Sequence, residues 1–275
     1  MSQDSQRRAP LADGMSALGL GTWQNEDADQ CAESVRTAVE MGYRHVDTAQ
    51  AYRNEDAVGR GLADADVDRE DVFLATKVWT DNLAPADVHS TTADSLDRLG
   101  VDYVDLLYVH WPANEYRAGE TLPAFAELKS EGTIERIGVS NFEPRHLDEA
   151  RDVLGELPFA NQVELNPLLP QEELREYADG EDVELVAYSP LARGEVFDVP
   201  EIQAVAEKHG VSEAQVSLAW VREKGVTAIP KATGEDHIAD NWGSLDVDLD
   251  DEDVAKIDGI DRRSRQVDPD FAPWN

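Results

Sequence analysis

One cysteine, six lysines and no long apolar run bound what this 275-residue chain can be. Cys31 stands alone, which excludes an intrachain disulfide and a cysteine-based zinc cluster. No stretch approaches the roughly 18 apolar residues of a membrane helix. The opening MSQDSQRRAP lacks an apolar leader core, so a cytoplasmic protein is expected. The six histidines are scattered without ligand spacing, so no metal site is expected. The shortage of lysine belongs to a wider imbalance: 58 acidic residues stand against 24 basic ones, a net charge of −34. A surface so acidic repels nucleic acid and anionic lipid, both of which bind basic patches. It also repels itself, and molar salt, with a Debye length of about 3 Å, screens that repulsion. The composition therefore predicts a salt-adapted protein of the halophilic kind. With 41% apolar residues and six tryptophans, acidic disorder is excluded.

Short apolar runs alternate with longer amphipathic segments along the whole chain. Strands are predicted over 17–21, 44–47, 72–76, 104–109, 136–139, 161–165, 183–187 and 226–229. Helices are predicted over 30–41, 85–99, 123–130, 171–178, 200–209, 213–224, 238–242 and 250–257, with a loop over 192–199 and an irregular tail over 262–275. Gly100, Gly132, Gly180, Gly210 and Gly225 follow helix patterns, where a left-handed closing residue is wanted. Eight strands in alternation with helices imply a parallel sheet, and eight is the number that closes a (β/α)8 TIM barrel. No linker or repeat divides the chain, so residues 1–275 read as one α/β domain.

In such a barrel, functional groups gather at the carboxyl ends of the strands. Asp47, Lys77 and His110 follow the second, third and fourth runs. Singly, each has an ordinary reading: a turn aspartate, an exposed lysine, a structural histidine. At three successive strand ends they converge on one mouth, and Tyr52 lies in the loop just beyond Asp47. A phenol of pKa about 10 is a poor proton donor at neutral pH unless its phenolate is stabilised. An ammonium does this, and a buried ammonium stays charged only beside a carboxylate. Asp47 is thus expected to keep Lys77 charged, Lys77 to lower the pKa of Tyr52, and His110 to orient a carbonyl oxygen. That device protonates a carbonyl that receives hydride, so it requires a hydride cofactor.

These residues lie in stretches that resemble the aldo-keto reductase family. Residues 42–59, GYRHVDTAQAYRNEDAVG, match the family's main signature, and GVSNF at 138–142 is similar to its second. Lys77 in TKVW and His110 in VHWP resemble the remaining members of its catalytic tetrad. The resemblance implies a monomeric oxidoreductase that reduces small aldehydes, ketones or keto-sugars with NAD(P)H bound without a Rossmann domain. It implies that Ser140, Asn141 and Gln162 bind the carboxamide and that Tyr188 stacks on the nicotinamide. It further implies that Thr22 lies near the ribose, that Ser189 and Leu191 sit in the loop over the pyrophosphate, and that Lys231, His237 and Asn241 belong to the cofactor site. Trp23, Trp79 and Trp111 fall where the family lines its substrate pocket; their ordinary reading is core packing.

The third signature departs from the family. It reads IPKA at 229–232 in place of Ile-Pro-Lys-Ser, and His237 occupies the position of an arginine. A neutral imidazole there weakens the grip on a 2′-phosphate, so NADPH is expected to be preferred and NADH tolerated. Other classes fare less well. A serine hydrolase elbow fails at Phe142, where glycine is required. A carboxylate-pair glycosidase stays open on composition alone. A cofactor-binding regulatory subunit with little turnover remains possible on the same fold.

Overall fold

The structure is a computed structural model and describes residues 10–12 and 14–275. Residues 1–9, whose polar character bears on the cytoplasmic expectation, lie outside the described residues. Two short strands, β1 (Pro10–Ala12) and β2 (Met15–Ser16), pair antiparallel. Eight more follow: β3 (Leu20–Gly21), β4 (His45–Asp47), β5 (Phe73–Val78), β6 (Val104–Val109), β7 (Ile134–Ser140), β8 (Ala160–Glu164), β9 (Glu184–Tyr188) and β10 (Thr227–Ala228). They form one parallel sheet in sequence order. Parallel bridges Leu18–Ala228 and Gly21–Lys231 join its two ends and close the barrel expected from the sequence. The closure needs glycine at position 21, because a Cβ there would lie 2.6 Å from the Ile229 carbonyl oxygen.

Two apolar layers follow from the two faces of the strands. Met15, Phe73, Ala75, Leu106, Tyr108, Ala160, Val186 and Ile229 fill the barrel. Met15 comes from the β1–β2 hairpin, so the hairpin packs into that interior. The larger layer, which includes Val46, Leu74, Leu107, Val139 and Val163, packs the strands against the helices.

All eight predicted helices are present, Pro85–Leu99 and Pro200–His209 with the predicted ends and the other six with shifted ends, and two more were not predicted. Helix Glu55–Asp64 contains Gly59 and Gly61, which weaken a helix pattern. Both are required by close packing, since a Cβ would lie 2.3 Å from the Leu99 carbonyl oxygen or 2.4 Å from that of Ala32. Helix Pro144–Leu154 buries only Leu147 and Ala150, too thin a stripe to read as a period. Helix Ala118–Ser130 begins well before Pro123, which it carries in its interior. Gly100, Gly132, Gly210 and Gly225 adopt positive φ as expected, whereas Gly180 lies inside helix Glu172–Glu181 and Asp182 takes the left-handed position. Among the described residues, no helix is long and apolar enough to cross a membrane.

Candidate active site

Side chains two apart on a strand share a face. Phe73 and Ala75 point into the barrel, so Lys77 does too. The same step carries Leu106 and Tyr108 to His110, Ala160 to Gln162 and Glu164, and Val186 to Tyr188. Register completes the ring, pairing Gly21 with Asp47 and Ser140 with Gln162. One end of the barrel thereby acquires a polar rim above an apolar filling.

The rim is tightly bonded. Lys77, 0% exposed, donates from Nζ to an Asp47 carboxylate oxygen, to the Thr48 carbonyl at 2.8 Å and to the Tyr52 hydroxyl at 3.4 Å. The second carboxylate oxygen of Asp47 accepts from Gln162 Nε2 at 2.7 Å. Tyr52 enters from the one-turn helix Gln50–Tyr52, its ring edge-on to His110 with centroids 5.9 Å apart. Trp79 meets the same imidazole at 5.1 Å. All four predicted tetrad residues are therefore brought together.

Their protonation follows from burial. Desolvation, only partly offset by Asp47, draws the Lys77 ammonium down from its usual range. Burial and then the Lys77 charge hold His110 well below an ordinary imidazole, so it is neutral. Burial first, and Asp47 second, push the Tyr52 phenol up. This corrects the expected lowering by Lys77: the Asp47 carboxylate matches the ammonium charge, and Tyr52 is a neutral phenol that keeps its proton.

The other predicted residues adjoin this group. Ser140 Oγ donates to the Gln162 carbonyl at 2.8 Å, and Asn141 Nδ2 donates to the His110 carbonyl at 3.1 Å. The Tyr188 hydroxyl donates to Asn141 Oδ1 at 2.8 Å, and Thr22 Oγ1 to the Asp47 carbonyl at 3.0 Å. With Trp23, Trp79, Trp111, Ser189, Leu191 and Lys231 they line a single cavity of about 1130 Å³. Two predicted residues stand apart. His237 is exposed in the first turn of helix Glu235–Gly243, and Asn241 is buried in the same helix; neither lines the cavity.

The donor set fits a nicotinamide dinucleotide. Amide and hydroxyl groups cluster beside the tetrad, and the volume exceeds that of an ordinary small-ligand pocket, about 300–1,000 Å³. Arg53, Arg193 and Lys231 also line the cavity, and among the described residues none of the three is in an ion pair. Three unneutralised cations around one cavity, in a chain of net charge −34, suit phosphate oxygens.

Sequence reasoning missed several cavity residues. Arg193 lies 4.7 Å above the Trp23 ring, on a segment where Ser189, Ala192, Arg193 and Gly194 all have positive φ. Gln266, Val267 and Phe271 come from the tail over 262–275, which is irregular as expected yet forms a wall. No periodicity marks such segments; the aromatic pair in FAPWN is their one sequence signal.

Residues 17–262 match the Aldo/keto reductase family. A glyoxal reductase of Bacillus subtilis is 39% identical over 251 residues, covering 91% of each chain. The Escherichia coli methylglyoxal reductase DkgA is 38% identical over 260 residues, 93% of this chain and 94% of that protein. A crystal structure of an aldo/keto reductase from Brucella melitensis superposes with a TM-score of 0.84 at 37% identity, over 89% of this chain and 94% of that one. The chain thus belongs to the Aldo/keto reductase family and is an NAD(P)H-dependent oxidoreductase.

Proposed function

We propose that this enzyme reduces small aldehydes, foremost 2-oxoaldehydes such as glyoxal and methylglyoxal, with Tyr52 as proton donor. The observation that carries the reading is the chain from buried Asp47 and Lys77 to the half-buried Tyr52 at the cavity, set beside aromatic walls. The substrate class is taken from the two reductases to which the chain is similar.

A bound nicotinamide cofactor supplies hydride to the carbonyl carbon. Ser140, Asn141 and Gln162 would hold its carboxamide, and Tyr188 would support its ring. Thr22, Ser189 and Leu191 would flank the ribose and pyrophosphate, with Arg193 and Lys231 meeting phosphate charge. Neutral His110 donates a hydrogen bond to the carbonyl oxygen and orients it. Tyr52 passes its proton to that oxygen as charge develops there. Lys77, held by Asp47, then stabilises the phenolate left behind. Trp23, Trp79 and Trp111 exclude water and shape the pocket.

The cofactor reading is preference without strictness. Lys231 meets a 2′-phosphate as a point charge, but the side chain at 237 is an exposed imidazole outside the cavity. One missing charge-assisted contact, worth roughly 1.5–3 kcal/mol, leaves an NADPH over NADH preference in kcat/KM below about 100. The acidic surface is read as an adaptation to molar salt.

Oxidation of NADPH and NADH with glyoxal, methylglyoxal and a keto-sugar, from about 0.1 to 2 M KCl, tests this reading. Turnover of the 2-oxoaldehydes is expected, rising with salt and faster with NADPH. Cofactor binding without turnover of any carbonyl at any salt would overturn it and indicate a binding subunit.

A further inference from the structure

Glu164 ends β8 with its side chain on the inner face, and it is 0% exposed. Its two carboxylate oxygens accept from two consecutive backbone amides: Oε1 from Gln266 at 2.7 Å and Oε2 from Val267 at 2.8 Å. These amides belong to the tail, where no strand ladder or helix is available to satisfy them. Hydrogen bonds to a carboxylate are about twice as strong as neutral ones, so a rigid strand end grips an irregular segment here. Just beyond the grip, Phe271 stands 6.4 Å from Trp79 and 5.5 Å from Trp111, and Trp274 packs on Trp111 at 5.6 Å. Gln266, Val267, Asp268, Pro269 and Phe271 face the main cavity. A second cavity of about 330 Å³ lies on the other side, lined by Glu164, Arg265 and Trp274 among others. The tail is thus a partition with open space behind it.

We propose that Glu164 is a positioning residue: its carboxylate pins the tail at Gln266 and Val267 and so fixes Phe271 as a wall of the substrate pocket. The proposal rests on the reading that the main cavity reduces carbonyls. Without the pin, the tail is free to retreat toward the rear cavity and the pocket widens. The tail would not detach, because the Ser264 amide still donates to the Leu168 carbonyl at 3.0 Å and Gln266 Nε2 to Glu195 at 2.9 Å. Lys77 and Asp47 take their places from strands, so the chemical step is left intact while the hold on a small aldehyde weakens.

The test is Glu164→Gln, which preserves shape but turns an NH2 group toward an amide N–H and loses one bond. With NADPH bound, KM for methylglyoxal is expected to rise about tenfold while kcat stays within about threefold. Trypsin should cut after Arg263 or Arg265 at least about tenfold faster, as read by mass spectrometry of the released tail. Phe271→Ala should raise KM on its own, and the double variant should be no worse than Phe271→Ala alone, because one effect acts through the other. Wild-type KM and trypsin rate in Glu164→Gln, or additive effects in the double variant, would overturn the proposal. Should Glu164→Gln not fold, amide exchange in the wild type decides: Gln266 and Val267 should be protected, and rapid exchange at both would refute the pin. If the wild type reduces no aldehyde, the functional reading fails, while the trypsin and exchange results still judge the pin.

Discussion

Asp47, Lys77, Ser140, Gln162 and Tyr188 stand on strands, whereas Val267 and Phe271 face the cavity from irregular chain and Arg193 from the kink of a short 3-10 segment, Ala192–Asp198, where the sequence predicts a loop. On the first wall, each side chain's direction is set by a two-residue period and a hydrogen-bonded register, with neighbours on both sides. On the second, backbone amides find isolated partners, such as the Glu164 carboxylate, and several residues hold positive φ. A ladder holds groups to the tolerance proton transfer demands. Irregular segments vary in length and sequence without disturbing that ladder, which suits them to cofactor grip and substrate choice. Damage to the strand wall should therefore appear in kcat and stability, and damage to the other wall in KM.

The largest effect on the strand wall is expected from Lys77→Met. It removes the support of the Tyr52 phenolate, so kcat should fall by about 10²–10⁴. It also leaves Asp47 buried without its ammonium, a loss of about 3–5 kcal/mol for a broken buried pair. Steady-state kinetics and urea melts check both, and a normal kcat would detach Lys77 from the chemistry.

Next comes His45, at the start of β4, 0% exposed and edge-on to Phe73 at 5.1 Å. Burial pushes its imidazole from 6.5 down to about 4. The folded chain holds it neutral while the unfolded chain takes up a proton first, so this stability is complete above pH 6.5 and drains away as pH falls toward 4. The loss is about 3 kcal/mol. His45→Gln should flatten that slope in urea melts between about pH 4 and 7; parallel slopes would show that other groups set it.

The smallest effect belongs to the irregular wall. Arg193→Ala removes a cation that lies over Trp23, and KM for NADPH should rise about tenfold with kcat within about twofold. A fall in kcat with unchanged KM would erase the distinction between the walls.

Legibility in the sequence followed the same division. The barrel and its polar rim could be read because β-branched runs ending in Asp47, Lys77 or His110 carry the strand period in the sequence itself. Glu164 was equally legible in principle, two residues past Gln162 on one face, but its partners lie a hundred residues away in a segment without period. Helix Glu55–Asp64 was hidden by glycines that only its packing against Leu99 and Ala32 explains. His237 and Asn241 were assigned to the cofactor by resemblance, and position in a motif did not place them on the cavity. The direction of the Tyr52 shift was missed because a local pairing argument omits desolvation, the larger cause of the rise, and the charge of Asp47, the second.

The central claim is that Tyr52 delivers the proton to a carbonyl that accepts hydride from the cofactor. Tyr52→Phe tests it most directly, since it removes one hydroxyl and keeps the ring beside His110. With saturating NADPH and methylglyoxal, kcat should fall by about 10²–10⁴ while the Kd for NADPH, titrated by fluorescence, stays within about twofold of wild type. A kcat near that of the wild type, with cofactor still bound, would contradict the account.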